Sequence, residues 1–427
     1  MIVRNIQKEL ENFFNRKEVL AVIWPRQVWK STILKKIKEE NFKNNSFYFD
    51  FEDSENLNSF SKNPVQFIKN FKIKDQKTIF FFDEIQLDIN AGKNLKLIYD
   101  TFWDEIKIFI SWSSSLEIRE ISSKMVWRIF IFEMWSVSFD EFLRYKNIWI
   151  FNEYKDFNLK IRKFISNWEK IDLKISENFI FSDKLGKYFE EYLIWWWYPE
   201  VVLEENIEMK KMILKNIIQT YLNKDIVWLL NVRDVKWFEN FLVSLSLLIW
   251  EKINYQERWN DLNLDFRTLK KYLDLLQKTF LIYEISPFFT NKISEIIKEK
   301  LNYFYDLWIR NSVIRNFQEP FFRWDIWHLV ENFAFLRLKN FQCENLLSLN
   351  YWRDKQWNEV DFILNFWEKK IPIEIKFQNF KKEKISNSTK NFINKYSPEN
   401  FLIFTKNFFW ETKFKNTKII FIPIYYL

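Results

Sequence analysis

The sequence predicts an α/β fold, with a parallel sheet in the first third of the chain and a second sheet near its end. Five apolar runs alternate with helical patterns, a near match to a phosphate-binding loop follows the first run, and short strand-like runs return in the last third. Such alternation is typical of parallel strands, because the chain must cross a face of the sheet, usually as a helix, between one strand and the next. We therefore expect separate α/β segments at the two ends of the chain.

The predicted strands of the first sheet are runs in which polar and apolar residues do not alternate. These runs are EVLAVI, SFYFDFED, TIFFFDEIQ, IKIFISWSS and RIFIFEM. The segment Ile79 to Phe82 is apolar at every position. Unbroken runs of this kind suit strands that are covered on both faces, so helices are expected on each side of this sheet.

The stretch VIWPRQVWKSTIL, Val22 to Leu34, nearly matches the phosphate-loop pattern G-x-x-x-x-G-K-[ST], but tryptophan occupies both glycine positions. In such a loop backbone N–H groups surround the phosphates, the lysine neutralises their charge, and the hydroxyl ligates Mg²⁺. The sequence therefore predicts a nucleotide site with Lys30 on the phosphates and Ser31 on the metal. The predicted contacts are Trp24, Pro25, Arg26, Gln27, Val28, Trp29, Lys30, Ser31 and Thr32.

Residues at the ends of later strands complete the predicted nucleotide site. TIFFFDEIQ ends in Asp83, which we expect to hold Mg²⁺ through water, and in Glu84, which we expect to act as the base on the attacking water. Ser113 follows the next strand, where it either contacts the γ-phosphate or belongs to an ordinary serine-rich turn. Arg128 is either a phosphate-sensing or a structural arginine, and the sequence leaves both roles open.

The chain has 2 Gly and 22 Trp, whereas an average composition would give roughly 30 glycines at this length. Several tryptophans stand where turn chemistry favours glycine, as in SWSSS and DKQWNEVDF. The abundance of Phe, Ile, Lys and Asn indicates AT-rich coding, and some bacteria with such genomes read UGA as glycine. We therefore predict that most of these letters stand for glycine. The alternative is a tryptophan-rich chain with a degenerate loop, and UGG codons at Trp24 and Trp29 would establish it.

Bulk properties bound the class of protein. A length of 427 residues favours two to four domains, and a charged fraction of 29% is typical of a soluble globular protein. The single cysteine, Cys343, excludes an intramolecular disulfide, and a single histidine, His328, argues against zinc or Ser-His-Asp chemistry. The start resembles no signal peptide, and no apolar run reaches about 18 residues, so we expect a cytoplasmic protein without membrane contact. The net charge of +8 permits nucleic-acid contact without deciding it.

The region from about 230 to 290 predicts helices followed by a β-hairpin, the outline of a winged helix. DFRTLKKYLDLLQKT carries a helical apolar stripe. Arg267, Lys270 and Lys271 lie on the opposite side of that helix, where they could contact DNA. Packing of the module on the nucleotide domain is the alternative, and the sequence does not choose between them.

The last segment predicts two helices and then five strands, NLLSLNYWRD, NEVDFIL, KKIPIEIKF, NFLIFTK and KIIFIPI. In KIPIEIKF, Glu374 and Lys376 share one face of a strand, and Asp361 lies on the strand before it. Acidic oxygens suit Mg²⁺, and a lysine beside them can orient the attacking water. We predict a metal site formed by Asp361 and Glu374, with Glu331 of the preceding helix as a further acid and Lys376 beside it. The alternative is a solvated face of salt-bridged Glu and Lys.

Together these motifs resemble the large prokaryotic family of AAA-like ATPases that carry a C-terminal restriction-endonuclease-like domain of unknown function. The segments that carry the resemblance are WPRQVWKST, FFFDEIQ, ISWSSS, VWRIF, SFDEF, WWYPEV, YDLWIRN, LVENFAF, YWRDKQWNEVDF and IEIKF. The family usually has glycine where this chain has Trp24, Trp29, Trp112, Trp127, Trp308, Trp327 and Trp357. Trp352, in the YWR run, is the position that we expect to be a true tryptophan.

The resemblance implies a P-loop ATPase domain at 1–145, a helical lid at 146–228, a winged helix at 229–295 and a restriction-endonuclease-like α/β domain at 296–427. It also implies ATP and Mg²⁺ as cofactors. We expect an ATPase that acts on nucleic acid, either DNA or RNA, with its nuclease activity and oligomeric state left open. The alternatives are an ATP-gated switch without catalysis in the C-terminal domain, and a pseudo-ATPase if Trp24 and Trp29 are real.

Overall fold

A computed structural model describes residues 2–23, 30–112, 123–167, 179–195, 198–220, 235–247, 266–279, 281–289, 300–345, 347–366 and 369–427. The chain divides into two compact units. The first unit comprises Met1–Glu141, Tyr198–Leu230 and Lys278–Phe280, and the second comprises Phe142–Trp197, Asn231–Gln277 and Leu281–Leu427. Each unit is built from chain segments that are not contiguous, so the two units do not correspond one to one with the four predicted domains. The division into four domains stays a prediction.

The described helices and strands follow one another as α1 (Asn5–Glu11), β1 (Val19–Ile23), α2 (Lys30–Asn41), β2 (Ser46–Asp50), α3 (Ser54–Lys62), α4 (Pro64–Phe71), β3 (Thr78–Asp83), α5 (Ala91–Phe102), β4 (Ile106–Trp112), β5 (Ile129–Glu133), α6 (Phe139–Lys146), α7 (Ile148–Asn167), α8 (Phe179–Trp195), α9 (Pro199–Leu203) and α10 (Ile207–Thr220). They continue as α11 (Val235–Leu247), α12 (Phe266–Lys278), β6 (Ile282–Ile285), β7 (Leu301–Phe304), α13 (Leu307–Val313), α14 (Ile326–Asn345), β8 (Ser348–Arg353), β9 (Glu359–Phe366), β10 (Lys369–Lys376), α15 (Asn387–Tyr396), β11 (Asn400–Thr405), β12 (Trp410–Phe414) and β13 (Thr417–Pro423). None of the helices in the described ranges is long and apolar enough to cross a lipid bilayer.

The first unit is built on a five-stranded sheet in the order β2-β3-β4-β1-β5, with every neighbouring pair parallel. All five predicted strands are present, and the predicted α/β fold is confirmed. Every residue of β1, β3 and β4 is buried, because phenylalanines fill both sides of the sheet. On one side Phe49 packs on Phe67 of α4, and on the other Phe81 packs on Phe109.

The strand order brings the nucleotide motifs to one edge of the sheet. In a parallel sheet all carboxyl ends meet at the same edge, and ligands bind there because the loops that leave the strands converge. Asp83 ends β3, Trp112 ends β4, and α2 begins at Lys30 after β1. Ile23 and Trp112 are direct neighbours in register. The sequence segments that resemble a nucleotide site therefore lie together.

The second unit contains a six-stranded mixed sheet in the order β12-β13-β11-β10-β9-β8. The pairs β10–β11 and β11–β13 are parallel, and the other pairs are antiparallel. The five predicted strands are present, and the prediction omitted β12. That strand reads WETKF and lies at the edge of the sheet with its side chains mostly exposed, so it lacks the apolar pattern from which the other strands were predicted.

The predicted winged-helix segment is described only in part. Helices α11 and α12 are present, and Arg267, Lys270 and Lys271 are exposed on α12, as their positions in the stripe predict. Strand β6 pairs antiparallel with β7, which begins at Leu301. The pair thus straddles the predicted boundary at residue 295, since the hydrogen-bonding partner of β6 lies beyond it. The winged helix itself stays a prediction.

Backbone angles distinguish some tryptophans from ordinary core residues. Trp127 and Trp357 both adopt φ 65, and Trp103 adopts φ 25, in the left-handed region that glycine occupies without steric cost. The side chains of Trp127 and Trp357 are 92% and 77% exposed. Trp357 N–H donates to Asp354 O at 3.3 Å and closes the β8–β9 turn, at a turn position where a left-handed glycine is usual. These indoles contribute little packing and occupy a backbone conformation that favours glycine.

Trp352 behaves differently, as expected of a true tryptophan. It is 3% exposed and belongs to the core cluster of the second sheet, together with Val360 and Ile363. Its ring makes an edge contact with Phe392, with 5.2 Å between ring centroids. A buried indole that packs edge-on against another aromatic ring contributes both area burial and a favourable ring interaction.

We expect the same substitution to have opposite effects at two of these positions. Trp127→Gly should raise the free energy of unfolding by about 1 kcal/mol, because it removes the steric cost of a left-handed Cβ at an exposed position. Trp352→Gly should lower it by about 3–5 kcal/mol through loss of a buried aromatic side chain. Chemical denaturation of both variants checks this. Equal destabilisation by the two changes would show that Trp127 packs as a normal core residue.

Candidate functional site

The first turn of α2 supplies part of the predicted nucleotide site. Ser31 and Thr32 are half-buried in that turn. The predicted contacts from Trp24 to Trp29 and the side chain of Lys30 lie outside the described residues, as does Ser113. The helix nevertheless starts at Lys30 directly after the loop, so its first N–H groups face the site. Such groups favour negative charge and suit a phosphate.

Asp83 is the centre of a hydrogen-bond network at the carboxyl edge of the sheet. It is 1% exposed. The Ser111 hydroxyl, from the end of β4, donates to Asp83 Oδ1, and the Tyr48 hydroxyl, from β2, donates to Asp83 Oδ2. Ser111 Oγ in turn accepts a hydrogen bond from the Glu84 N–H at 2.9 Å. Donors on two different strands therefore fix the orientation of a buried carboxylate.

The network extends to α2 through Tyr48. The Ser31 side chain lies beside the Tyr48 hydroxyl. Burial and the negative charge of Asp83 raise the pKa of Tyr48 well above its usual value, and the neighbouring Ser31 partly opposes that shift. Ser31, Tyr48 and Asp83 therefore lie next to one another at the carboxyl edge of the sheet.

Glu84 follows Asp83 in an unusual backbone conformation. Its φ of 53 and ψ of 43 lie in the left-handed region, which a non-glycine residue occupies at a cost of roughly 1–3 kcal/mol. The Glu84 carboxylate is partly exposed and accepts a hydrogen bond from Gln86 Nε2. Such strain persists where the surroundings hold the chain, here through the bond from the Glu84 N–H to Ser111, and it occurs often at functional sites.

Arg128 lies at the amino edge of the sheet, opposite the carboxyl edge where the nucleotide motifs lie. Its carbonyl accepts from the Val19 N–H at the start of β1, and its Nε donates to Asp100 Oδ1 at 2.8 Å. In a parallel sheet this edge is separated from the carboxyl edge by about 17 Å, the length of a five-residue strand. Of the two roles that the sequence left open for Arg128, this position favours the structural one, because the sheet direction carries the residue away from the carboxyl edge.

The second cluster gathers four predicted residues beside the mixed sheet. Glu331 Oε1, on α14, accepts a hydrogen bond from the Tyr303 hydroxyl at 2.7 Å. Asp361 Oδ2, on β9, accepts from the Ile375 N–H of β10 at 2.6 Å. Glu374 forms an ion pair with Lys376, with 2.8 Å between Oε1 and Nζ. The acids and the lysine predicted for this segment therefore lie near one another.

Glu374 has further partners that the sequence did not indicate. Its carboxylate accepts from Ser386 Oγ at 3.1 and 3.2 Å and from Thr389 Oγ1. Ser386 is also the N-cap of α15 and accepts from the Thr389 N–H at 3.0 Å. Within the described ranges, no group of three or more His, Cys, Asp or Glu side chains is arranged to hold a metal ion. In this arrangement Glu374 anchors the start of α15.

The electrostatics of this cluster reflect crowded acids around one lysine. Burial and the charge of Asp361 raise the pKa of Glu331 well above its usual value. Burial, opposed in part by Lys376 and reinforced by Glu374, raises the pKa of Asp361 to about 7. Burial alone would lower the pKa of Lys376, but the charges of Glu374 and Asp361 outweigh it and raise that pKa. Perturbed groups that share a site are candidates for function.

Sequence reasoning missed the hydroxyl groups at both sites. At the nucleotide site these are Tyr48 and Ser111, and at the second cluster they are Tyr303, Ser386 and Thr389. A usable signal existed for Ser386, since a serine directly before a helix is a typical N-cap residue. The position of Tyr48 beside β3 depends on strand order, which the sequence pattern alone does not reveal.

Comparison with known proteins agrees with this geometry. Residues 16–143 match the family described as AAA domain. Residues 186–319 and 328–427 match two families described as domains of unknown function, DUF8612 and DUF4143. The parallel sheet and the family match together indicate an AAA-like domain at residues 16–143.

Most of the chain is similar to two uncharacterized proteins of Methanocaldococcus jannaschii. MJ1544 is 26% identical over 381 residues, which cover 87% of this chain and 78% of that protein. MJ1637 is 24% identical over 309 residues, which cover 67% of this chain and 60% of that protein. Among solved structures, the RuvB Holliday junction branch migration motor of Thermotoga maritima aligns with 65% of this chain and 88% of its own at 14% identity and a TM-score of 0.27.

Proposed function

We propose that the protein binds ATP and hydrolyses it with the help of Mg²⁺. The observation that carries this proposal is the position of Asp83 at the end of β3, where it accepts a hydrogen bond from Tyr48, with Ser31 of the first turn of α2 beside the same Tyr48 hydroxyl. A hydroxyl after the phosphate loop and a buried carboxylate at the end of another strand of the sheet are the oxygen groups that hold Mg²⁺ in P-loop ATPases. Their proximity in this fold supports the assignment of both.

The residues present suit Mg²⁺, which prefers oxygen ligands and retains several waters. Ser31 and Asp83 would hold it, and the bound ion would neutralise charge that develops on the β- and γ-phosphates. Lys30 contributes a further positive charge at the phosphates. Glu84 lies at the same edge of the sheet with a partly exposed carboxylate, where it can accept a proton from the attacking water.

The proposal predicts Mg²⁺-dependent phosphate release from ATP by the purified protein, abolished by EDTA and restored by added Mg²⁺. The natural polypeptide is the appropriate sample, with the residues at positions 24 and 29 determined by peptide mass. We also propose that most of the tryptophans in glycine-like positions are glycine in that polypeptide, which opens the loop to phosphates. Indoles at both positions together with failure to retain ATP would refute the ATPase assignment.

For the second unit we propose action on nucleic acid, DNA or RNA, through the cluster of Glu331, Asp361, Glu374 and Lys376. The observation that favours it is the position of Lys376, which is 38% exposed and carries its charge beside crowded acids. Three acids and a lysine are the groups that metal-dependent phosphodiester cleavage uses. The alternative is a non-catalytic partner-binding domain switched by ATP, and the hydrogen bonds that Ser386 and Thr389 donate to Glu374 favour that alternative.

A cytoplasmic location fits the reducing chemistry expected with a single cysteine.

Lys376→Ala distinguishes these two functions. If the domain cleaves nucleic acid, cleavage of single- and double-stranded DNA and RNA in Mg²⁺ or Mn²⁺ should fall by about 10²-fold or more, while ATP hydrolysis stays unchanged. Lys406→Ala is a suitable control, because that lysine is ion-paired with Glu190 at the same sheet but outside the cluster. If the unaltered protein cleaves none of these substrates, the domain is a binding module.

A further inference from the structure

We propose that Tyr48 is a positioning residue of the nucleotide site, whose hydroxyl holds Ser31 and Asp83 in the arrangement that binds Mg²⁺. This inference rests on the ATPase function proposed above. It adds a residue that no nucleotide-loop pattern includes, since Tyr48 belongs to neither the loop nor the acidic strand end. Tyr48 lies on β2, which pairs with β3 and is an outer strand of the sheet.

The sheet register places Tyr48 where its hydroxyl can reach both groups. Tyr48 pairs with Phe81, and Asp50 pairs with Asp83. Side chains two residues apart on a strand share a face, so Tyr48 and Asp83 project to the same side of the sheet as Phe81. That side is covered by α2, because the Lys35 ammonium lies 5.0 Å from the centre of the Tyr48 ring. The hydroxyl is therefore enclosed between α2 and the end of β3.

Two hydroxyl groups hold the Asp83 carboxylate. Tyr48 donates to Asp83 Oδ2, and the Ser31 side chain lies beside the Tyr48 hydroxyl. From the other direction, Glu84 N–H donates to Ser111, and Ser111 donates to Asp83 Oδ1. Tyr48 and Ser111 thus each donate to one oxygen of the same carboxylate. Ser31, Asp83 and the backbone of Glu84 are thereby linked, and Tyr48 is the member of this group that joins α2 to the sheet.

Removal of the Tyr48 hydroxyl has a specific consequence. Phenylalanine keeps the ring and matches the flanking Phe47 and Phe49, so packing is preserved. Asp83 Oδ2 then loses its donor and the Ser31 side chain loses its polar neighbour, and both side chains gain rotational freedom. Hydrogen bonds to charged groups contribute about 1.5–3 kcal/mol each. The expected result is an increase of about tenfold to hundredfold in the Mg²⁺ concentration that gives half-maximal ATP hydrolysis.

The experiment compares Tyr48→Phe with the unaltered full-length protein. Three quantities are measured: phosphate release as a function of Mg²⁺ concentration, binding of a fluorescent ATP analogue in EDTA, and the thermal unfolding midpoint. We expect phosphate release to require more Mg²⁺, with the other two quantities unchanged. Tyr99→Phe is the control, since Tyr99 lies in the same unit near Arg128 at the opposite sheet edge. Tyr48→Met, which also lacks the hydroxyl, is measured in parallel so that the test does not depend on one variant folding.

Three outcomes overturn the inference, and they are distinguishable. If the unaltered protein shows no Mg²⁺-dependent hydrolysis, the proposed ATPase function fails and the role of Tyr48 fails with it. If the unaltered protein hydrolyses ATP and the folded Tyr48 variants have the same Mg²⁺ requirement within about twofold, the ATPase function stands and the role of Tyr48 alone is refuted. An equally raised Mg²⁺ requirement in Tyr99→Phe would also refute that role, since it would assign the effect to general loss of packing.

Discussion

We expect Glu84→Gln to leave ATP binding intact and to reduce the rate of ATP hydrolysis by about 10²- to 10⁴-fold, the range typical for loss of a general base. Glu84 follows Asp83 directly, and its backbone N–H is held by Ser111, so the amide should occupy the same place as the carboxylate. An amide nitrogen cannot accept the proton of the attacking water. Binding of a fluorescent ATP analogue and the rate of phosphate release, measured on the same preparation, separate these effects.

Lys30→Ala should give the opposite profile, with loss of nucleotide binding itself, because the positive charge at the phosphates is removed before any chemistry takes place. Exposed residues near the same helix provide matched controls, Glu39→Gln for the carboxylate and Lys43→Ala for the lysine. Both controls should retain activity. If Lys30→Ala and Glu84→Gln hydrolyse ATP as fast as the unaltered protein, the assigned roles are wrong.

Asp325→Ala is expected to lower the free energy of unfolding by about 3–5 kcal/mol, the cost of breaking a buried ion pair by removing one partner. Asp325 is completely buried between two arginines. Arg310 Nη1 donates to its Oδ2, and Arg323 donates to both oxygens, at 2.8 Å from Nε and 2.7 Å from Nη2. Arg310 Nε also donates to Ser246 O at 3.0 Å. Without Asp325, two guanidinium groups remain buried with their charges uncompensated.

Asp183→Ala supplies the matched control, because Asp183 forms an ion pair with Lys187 in which both side chains are mostly exposed. An exposed pair of this kind contributes less than about 1 kcal/mol. Chemical denaturation should separate the two variants clearly. Similar losses of stability in both would show that the Asp325 cluster is open to water.

The pH dependence of this stabilisation follows from the pKa of Asp325. Burial alone would raise that pKa, but the hydrogen bonds and charges of Arg323 and Arg310 outweigh it and lower the pKa below the ordinary 3.8. A carboxyl with a depressed folded-state pKa stabilises fully above its unfolded value, and this contribution is lost as the pH falls through the folded value. The difference between the unaltered protein and Asp325→Ala should therefore be constant near neutrality and shrink only in acid below about pH 4.

The first sheet was predictable because its strands are long apolar runs that end in polar residues. That local pattern predicts all five strands, and it also predicts that Asp83 and Glu84 stand at a strand end. The same reasoning failed for β12, whose charged and exposed residues pair at a sheet edge where no apolar face is required. It left the role of Arg128 open, since that role depends on whether the residue lies at the amino or the carboxyl edge of the sheet, and no local pattern distinguishes the two.

The sequence by itself determined the fold class, and it predicted a phosphate loop at Lys30 and Ser31 and the residue types for two candidate sites, because these features follow from local periodicity and short spacing. Only the tertiary structure decided which groups meet. Strand order brings Tyr48 and Ser111 to Asp83, and the hydrogen bonds between β10 and the start of α15 bring Ser386 and Thr389 to Glu374. Hydrogen bonds depend on distances of about 3 Å between residues far apart in the chain, and such distances are fixed by the pairing and packing of whole elements rather than by any local pattern.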